Sequence, residues 1–272
     1  MSSPSTASGR GISVPSNDRP LKILLVAVVL CLVCSVLVST GAVLLKPIQE
    51  RNALLRRQQQ ILEVAGIYEE GVPIPEQFER VDARMVDLSS GEYVDTGNPL
   101  AFDIRRASRD PDRSVAVSTG EDIAKIHRRP TEMPVFLVEQ GGTLETIVLP
   151  VHGYGLWSTM YAYVALESDA RTLRGITFYS HQETPGLGGE IDNPRWLAQW
   201  PGKVAADPAG EVLLQIAKAA APAPGDEQSH IDAIAGATLT SRGVQQLVRY
   251  WLGEQGFGPY LARVRERGED AI

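Results

Sequence analysis

The sequence predicts an α+β protein: a single transmembrane helix near the N-terminus, then a domain with a mainly antiparallel sheet and flanking helices. Three observations predict it. No residue from Ile23 to Leu45 carries a charge. From Met133 onward, apolar and β-branched runs follow one another at short intervals, broken by Gly, Pro and Asp, which is the pattern of strands joined by tight turns. After Ser241 the apolar residues switch to a helical period.

The elements follow in order. Residues 1–20, "MSSPSTASGRGISVPSNDRP", have almost no large apolar groups. Such a segment buries too little surface to offset its chain entropy, so a disordered tail is expected. Residues 21–45 are read as the transmembrane helix, since about twenty apolar residues cross a bilayer. A cleaved signal peptide has a shorter apolar region followed by a small-residue cleavage site. Here "VSTGA" is followed by more apolar sequence, "VLL", so the span is read as retained. Arg10, Arg19 and Lys22 precede it, and Lys46, Arg51, Arg56 and Arg57 follow. The positive-inside rule does not choose between the two sides. The only cysteines, Cys31 and Cys34, lie in the span and share one helix face. They read as packing residues, or as a ligand pair completed by a partner protein, because two thiols alone do not make a typical metal or cluster site.

Residues 46–67 read as a helical stalk, with Leu54, Leu55, Ile61, Leu62 and Ala65 as its apolar stripe and Gly66 as its stop. Residues 68–272 form the soluble domain. Up to Pro130 it is polar and mixed, with strand-like pieces such as "RMVDLSSGEYV" and no chemical motif. The strands "PVFLVE", "TLETIVLPVHG", "STMYAYVALES" and "TLRGITFYSHQ" follow, with "EVLLQIAK" as a further candidate and a helix at "NPRWLAQW". The last helix places Val244, Leu247, Val248, Trp251 and Leu252 on one face, with Thr240 or Ser241 to cap it and the glycines of "GEQGFGPY" to end it. The net charge of −7 gives no sign of nucleic-acid binding.

Chemistry concentrates in "HIDAIAGATLTSRGV", His230 to Val244. A helix N-terminus exposes unpaired amide groups and partial positive charge, which suit a phosphate, and Gly236 lets backbone approach closely. No Gly-Lys-Ser/Thr follows, and neither a Gly-x-Gly-x-x-Gly fingerprint nor a Gly-x-Ser-x-Gly elbow is present. On physics alone an ordinary glycine turn before a capped helix explains the stretch as well. A second cluster, "YSHQETPGLGGEI", joins His181, Glu183 and Thr184 to a loop with Gly186 and Leu187. A third, "HGYGLWSTMYAY", places Tyr154, Leu156 and Trp157 among glycines, where apolar side chains could cover a flat ligand. The His/Glu spacing matches no common metal motif, so no metal is expected, and no residue is assigned a catalytic role.

"DAIAGAT", Asp232 to Thr238, resembles the flavinylation motif of FMN-binding domains, with Ala235 where Ser or Thr is usual and Ala233 where Gly is common. Together with "EVAGI", "GYGLWSTMYAYVAL", "HQETPGLGGEI", "NPRW" and "YWLGEQGFGPYL", it is similar to the C subunits of the sodium-translocating NADH:quinone reductases. The resemblance implies one FMN per chain, esterified through its phosphate to Thr238 by a flavin transferase, with Asp232 serving that reaction. Thr240 is the competing acceptor on chemistry alone. It further implies a seat formed by Gly236, Ala237, Leu239 and Thr240 with Tyr154, Leu156, Trp157, Glu183, Thr184, Gly186 and Leu187. The expected role is an electron relay with no NADH site of its own, among other subunits and membrane lipid. The FMN domain is expected on the outer, periplasmic side of the cytoplasmic (inner) membrane. The alternatives are the FMN subunit of an Rnf-type, ferredoxin-linked complex and an anchored phosphate-ligand module without redox chemistry.

Overall fold

The computed structural model describes residues 20–218 and 226–267. The expected disordered tail, apart from Pro20, and residues 219–225, "AAAPAPG", lie outside them. The chain divides into two units, residues 1–52 and 53–272.

Helix α1, Pro20–Val64, begins in the first unit. Every large apolar side chain from Leu21 to Ile48 is exposed. The uncharged stretch from Ile23 to Leu45 is roughly 34 Å long as a helix, enough to cross the ~30 Å apolar layer of a bilayer. The helix stops where Gly66 takes a left-handed conformation, φ 71°. The Ile67 N–H then donates back to Leu62 O at 3.0 Å, which satisfies a carbonyl the helix end leaves open.

The second unit runs through α2 (Ile74–Phe78), β1 (Val81–Asp87), β2 (Tyr93–Val94), α3 (Ile104–Arg109), β3 (Ser114–Ala116) and β4 (Arg128–Pro130). The long strands follow: β5 (Glu132–Gln140), β6 (Thr143–Tyr154), β7 (Thr159–Glu167) and β8 (Leu173–Ser180). Next come α4 (Pro194–Leu197), β9 (Gln215–Ala217), β10 (His230–Asp232), α5 (Thr238–Leu252) and α6 (Gly258–Arg267). The main sheet has the order β2-β1-β5-β6-β7-β8, and every pair in it is antiparallel. β9 and β10 pair in parallel.

Period-two alternation explains why these strands read as nearly continuous apolar runs. One set, including Val135, Leu137, Ile147, Leu149, Val164 and Leu166, packs in the core shared with α5 and α6. The intervening set, Phe136, Val138, Val148, Tyr163 and Ala165, packs with Ile61, Leu62, Val64 and Ala65 from the end of α1. The sheet is covered on both faces, so both sets must be apolar.

Three details of the sequence reading are corrected. "EVLLQIAK" forms a strand only at Gln215–Ala217. The glycines do end α5, at Gly253, but a further helix absent from the sequence reading follows, α6, which buries Tyr260, Leu261 and Val264. Neither Thr240 nor Ser241 caps α5, which starts at Thr238 with Ala237 as an N-cap that offers no side-chain acceptor.

His152 on β6 is buried, stacked on Tyr161 at 5.6 Å and tilted against Trp251 at 5.1 Å. Burial pushes its pKa from 6.5 down to about 3. The unfolded chain therefore takes up this proton at a higher pH than the folded one does. The stability from the neutral ring is present above pH 6.5 and is lost as pH falls toward about 3. His152→Phe keeps a stacking ring without the titration. Its urea midpoint is expected to fall less steeply than that of the wild type across this pH window.

Candidate functional site

Three segments meet at the start of α5. The first is the turn after β6, Tyr154 to Ser158; the second is the loop Glu183 to Gly189; the third is Ala235 to Thr240. Glu183 ties them together. It is 4% exposed. Its Oε1 accepts the backbone N–H of Leu156 at 3.1 Å, Trp157 at 3.0 Å and Ser158 at 3.3 Å. Its Oε2 accepts the Thr240 hydroxyl at 2.7 Å. A buried carboxylate is tolerated only when its lone pairs are filled in this way.

Two glycines make room for it. A Cβ at Gly155 would stand 2.5 Å from Glu183 Oε1, and one at Gly188 would stand 2.6 Å from Thr240 Oγ1. The loop closes on itself where Leu187 N–H and Gly189 N–H both donate to Thr184 O, with Gly186, between Thr184 and Leu187, in the left-handed region at φ 74°. His181 adjoins this cluster: its Nδ1 accepts the Glu183 N–H at 3.1 Å, and its Nε2 lies 2.7 Å from Asp192 Oδ2.

The hydroxyl-rich stretch is thereby sorted. Thr240 is fully buried and committed to Glu183. The Ser241 hydroxyl is buried and accepts the Ile234 N–H at 3.0 Å. Thr238, at the first position of α5, is exposed. Gly236 turns the chain into the helix with φ 77°, and the Leu187 side chain lies 3.2 Å from where its Cβ would be. After the Ala237 N–H, which donates to Ile234 O at 3.1 Å, the next N–H donated back into the turn is that of Ser241, to Ala237 O at 2.9 Å. The N–H groups of Thr238, Leu239 and Thr240 precede it, at the positive end of the helix.

Around Thr238 the surface is apolar. Trp157 is 65% exposed and Leu239 55%, with Leu187, Leu156 and Tyr154 also exposed. In the second unit only Leu54, Val115, Ile123 and Leu213 are comparably exposed large apolar residues among those described, so the exposure is concentrated here. Such a patch marks a binding surface rather than chance.

On its other side Thr238 borders a cavity of about 660 Å³ with Gly236, Arg242, Gln245 and Lys218 in its wall. The sequence reading missed Arg242 and Lys218. Arg242 follows Thr238 by one helical turn, a spacing visible in the sequence. Lys218 arrives only because β9 pairs with β10.

Asp232 ends β10, just before this turn. Its backbone is held by Gln199 Oε1, which accepts its N–H at 2.9 Å, and by the Trp196 indole N–H, which donates to its carbonyl at 2.8 Å. The carboxylate is half exposed, with Oδ1 3.3 Å from His230 Nε2. Among the described residues no cluster of His, Cys, Asp or Glu could hold a metal ion.

An exposed hydroxyl at a helix N-terminus, two cations beside it and an exposed apolar face next to it fit a phosphate joined to a flat aromatic group. Comparison with known proteins agrees. The FMN-binding domain family matches residues 155–253, a range that contains all three segments but for Tyr154. Among curated proteins, the C subunit of the Na(+)-translocating NADH-quinone reductase of Vibrio vulnificus is 48% identical over 254 residues, covering 93% of this chain and 98% of that protein. The corresponding protein of Pseudomonas aeruginosa is 47% identical over 256 residues, covering 92% and 98%. Among solved structures, NqrC of Shewanella oneidensis superposes with a TM-score of 0.73 at 34% identity, over 78% of this chain and 98% of that one. The C subunit of the Parabacteroides distasonis reductase gives 0.61 at 27% identity, over 80% and 96%.

Proposed function

The chain belongs to the family of C subunits of the Na(+)-translocating NADH-quinone reductases, and from that premise we propose that it carries one FMN, joined by a phosphoester to Thr238, as an electron relay between other subunits. A subunit of this oxidoreductase with an FMN-binding domain is the established part. The attachment, its residue and the relay role are the proposal.

The observation that carries it is the sorting of hydroxyls. Of Thr238, Thr240 and Ser241, only Thr238 is exposed; the other two are buried and already hydrogen-bonded. When bound, FMN supplies the redox chemistry, taking up and returning electrons one at a time. The chain's own residues do the rest. The N–H groups at the start of α5, with Arg242 and Lys218, offset the charge a phosphodiester retains. Gly236 gives the approach its left-handed turn. Leu156, Trp157, Leu187 and Leu239 offer an apolar face to the ring. Glu183 and Thr184 shape the loop that positions Leu187.

Asp232 is assigned to the transferase reaction, because its backbone is fixed while its carboxylate stays half exposed. Co-expressed with a flavin transferase, the full chain is expected to keep a fluorescent flavin through a denaturing gel. Asp232→Ala is expected to fold normally and lose most of that signal. A wild-type band without flavin would sink the covalent reading, and full loading of Asp232→Ala would sink the role of Asp232.

The domain plan is proposed on the same basis: a membrane-crossing helix over 21–45, a stalk over 46–67 and the FMN domain over 68–272. The FMN domain is placed on the periplasmic side, where a tether prevents loss of a cofactor that is not replenished there. Lipid around the span and a flavin transferase in maturation complete the set of partners.

A further inference from the structure

A second cavity, of about 540 Å³, opens on the other side of Tyr154. Its wall holds Arg105, Arg109, Lys125 and Arg128, and no carboxylate among the described residues lines it. None of the four is ion-paired among the described residues. In a chain of net charge −7 this is a marked local reversal of sign, and such a concave basic surface concentrates anions. The volume is that of a small-ligand site.

Two of the cations are held in place before any ligand arrives. The Arg105 guanidinium lies 4.3 Å from the Tyr161 ring centroid and donates from Nη2 to Ser180 Oγ at 2.6 Å. Arg128 donates from Nε to Ser114 Oγ at 2.9 Å and from Nη2 to Ser114 O at 2.7 Å. Arg109 and Lys125 make no side-chain hydrogen bond among the described residues and are free to close on a ligand. Buried His152 also lines the cavity, and its Nδ1 has no hydrogen-bond partner among the described residues.

The loop that forms one wall is strained. Lys125 and His127 both have left-handed backbone, φ 54° and 62°, without being glycine. The surroundings enforce it: the Asp122 carboxylate accepts the N–H of Ile126 at 2.8 Å and of His127 at 2.9 Å, and Ala124 O accepts the Tyr154 N–H at 2.8 Å. Strain of this kind persists where a local geometry is used, and here it sets Lys125 at the cavity mouth.

We propose that this cavity binds a small polyanion, a molecule with two or more phosphate or carboxylate groups, next to the segment that carries Tyr154. Fixed guanidinium groups, a concave wall and a preset loop suit a compact anion better than an extended protein surface. The proposal does not depend on the covalent flavin.

The test is titration calorimetry on the full detergent-solubilised chain at low ionic strength, with inorganic pyrophosphate and with citrate as probes. One saturable site is expected, and the tighter probe identifies the phosphate or the carboxylate class. Arg109→Gln and Lys125→Gln together are expected to weaken binding about tenfold or more, as loss of charge-assisted contacts requires. Arg56→Gln, elsewhere on the chain, is expected to leave it unchanged. No saturable binding of either probe overturns the proposal, as does equal weakening by Arg56→Gln. Binding of a hexaglutamate peptide with neither small probe overturns it in favour of a protein partner.

Discussion

Thr238→Ala is expected to carry no covalent flavin, whereas a variant at Thr240 keeps it. On residue chemistry alone both threonines are acceptors, two positions apart at the start of one helix. The fold separates them. Thr238 presents its hydroxyl from an exposed position, and Thr240 donates to buried Glu183 at 2.7 Å. A transferase cannot reach a fully buried hydroxyl without opening the junction of three segments. Thr240→Val is therefore expected to retain in-gel flavin fluorescence while losing stability, by about 1–3 kcal/mol for a hydrogen bond to a charged acceptor. Thr238→Ala is expected to lose the fluorescence completely with its thermal midpoint nearly unchanged, since surface substitutions shift stability by only about 0.5 kcal/mol. Flavin that stays with Thr238→Ala and leaves with Thr240→Val would reverse the assignment.

The second large effect is at Glu183. Removing its side chain strands three backbone N–H groups and the Thr240 hydroxyl at once. Glu183→Ala is expected to cost about 3–5 kcal/mol, a fall in thermal midpoint of roughly 10 °C for a domain of this size. Glu183→Gln is expected to cost much less. Its amide oxygen still accepts the N–H groups of the 156–158 turn, and the Thr240 hydroxyl can rotate to accept from its NH₂. In-gel flavin fluorescence should persist in both, because the Thr238 hydroxyl is not tied to Glu183. Equal thermal midpoints for the Ala and Gln variants would show that the carboxylate is not what holds the junction.

Much of this was legible beforehand because the signals were local. Strand alternation, the uncharged span and the helical period after Ser241 are each written within a dozen or two residues. The stretch proposed to hold the flavin is contiguous too, so its resemblance to a flavinylation motif needs no tertiary contact to be seen. The start of α5 was misplaced because a hydroxyl residue before a helix usually caps it. Here Thr240 and Ser241 turn inward, to Glu183 and to the Ile234 N–H. Helix α6 was missed because the glycines of "GEQGFGPY" are equally good stop signals and reverse-turn residues. Only its packing, with Tyr260 and Leu261 buried, distinguishes the two.

By itself the sequence determined the membrane-length helix and the antiparallel sheet, because each rests on periodicity or charge, and its contiguous motifs resemble those of the family to which the chain belongs. Only the tertiary structure decided which hydroxyl is exposed, that Glu183 joins the 156–158 turn to Thr240, that Lys218 shares a cavity wall with Thr238, and that four cations without an ion pair among the described residues share a wall near Tyr154. Such contacts join distant parts of the chain; Glu183 and Thr240 are 57 positions apart. Burial and proximity at such separations follow from how the sheet and helices pack, and no local pattern encodes them.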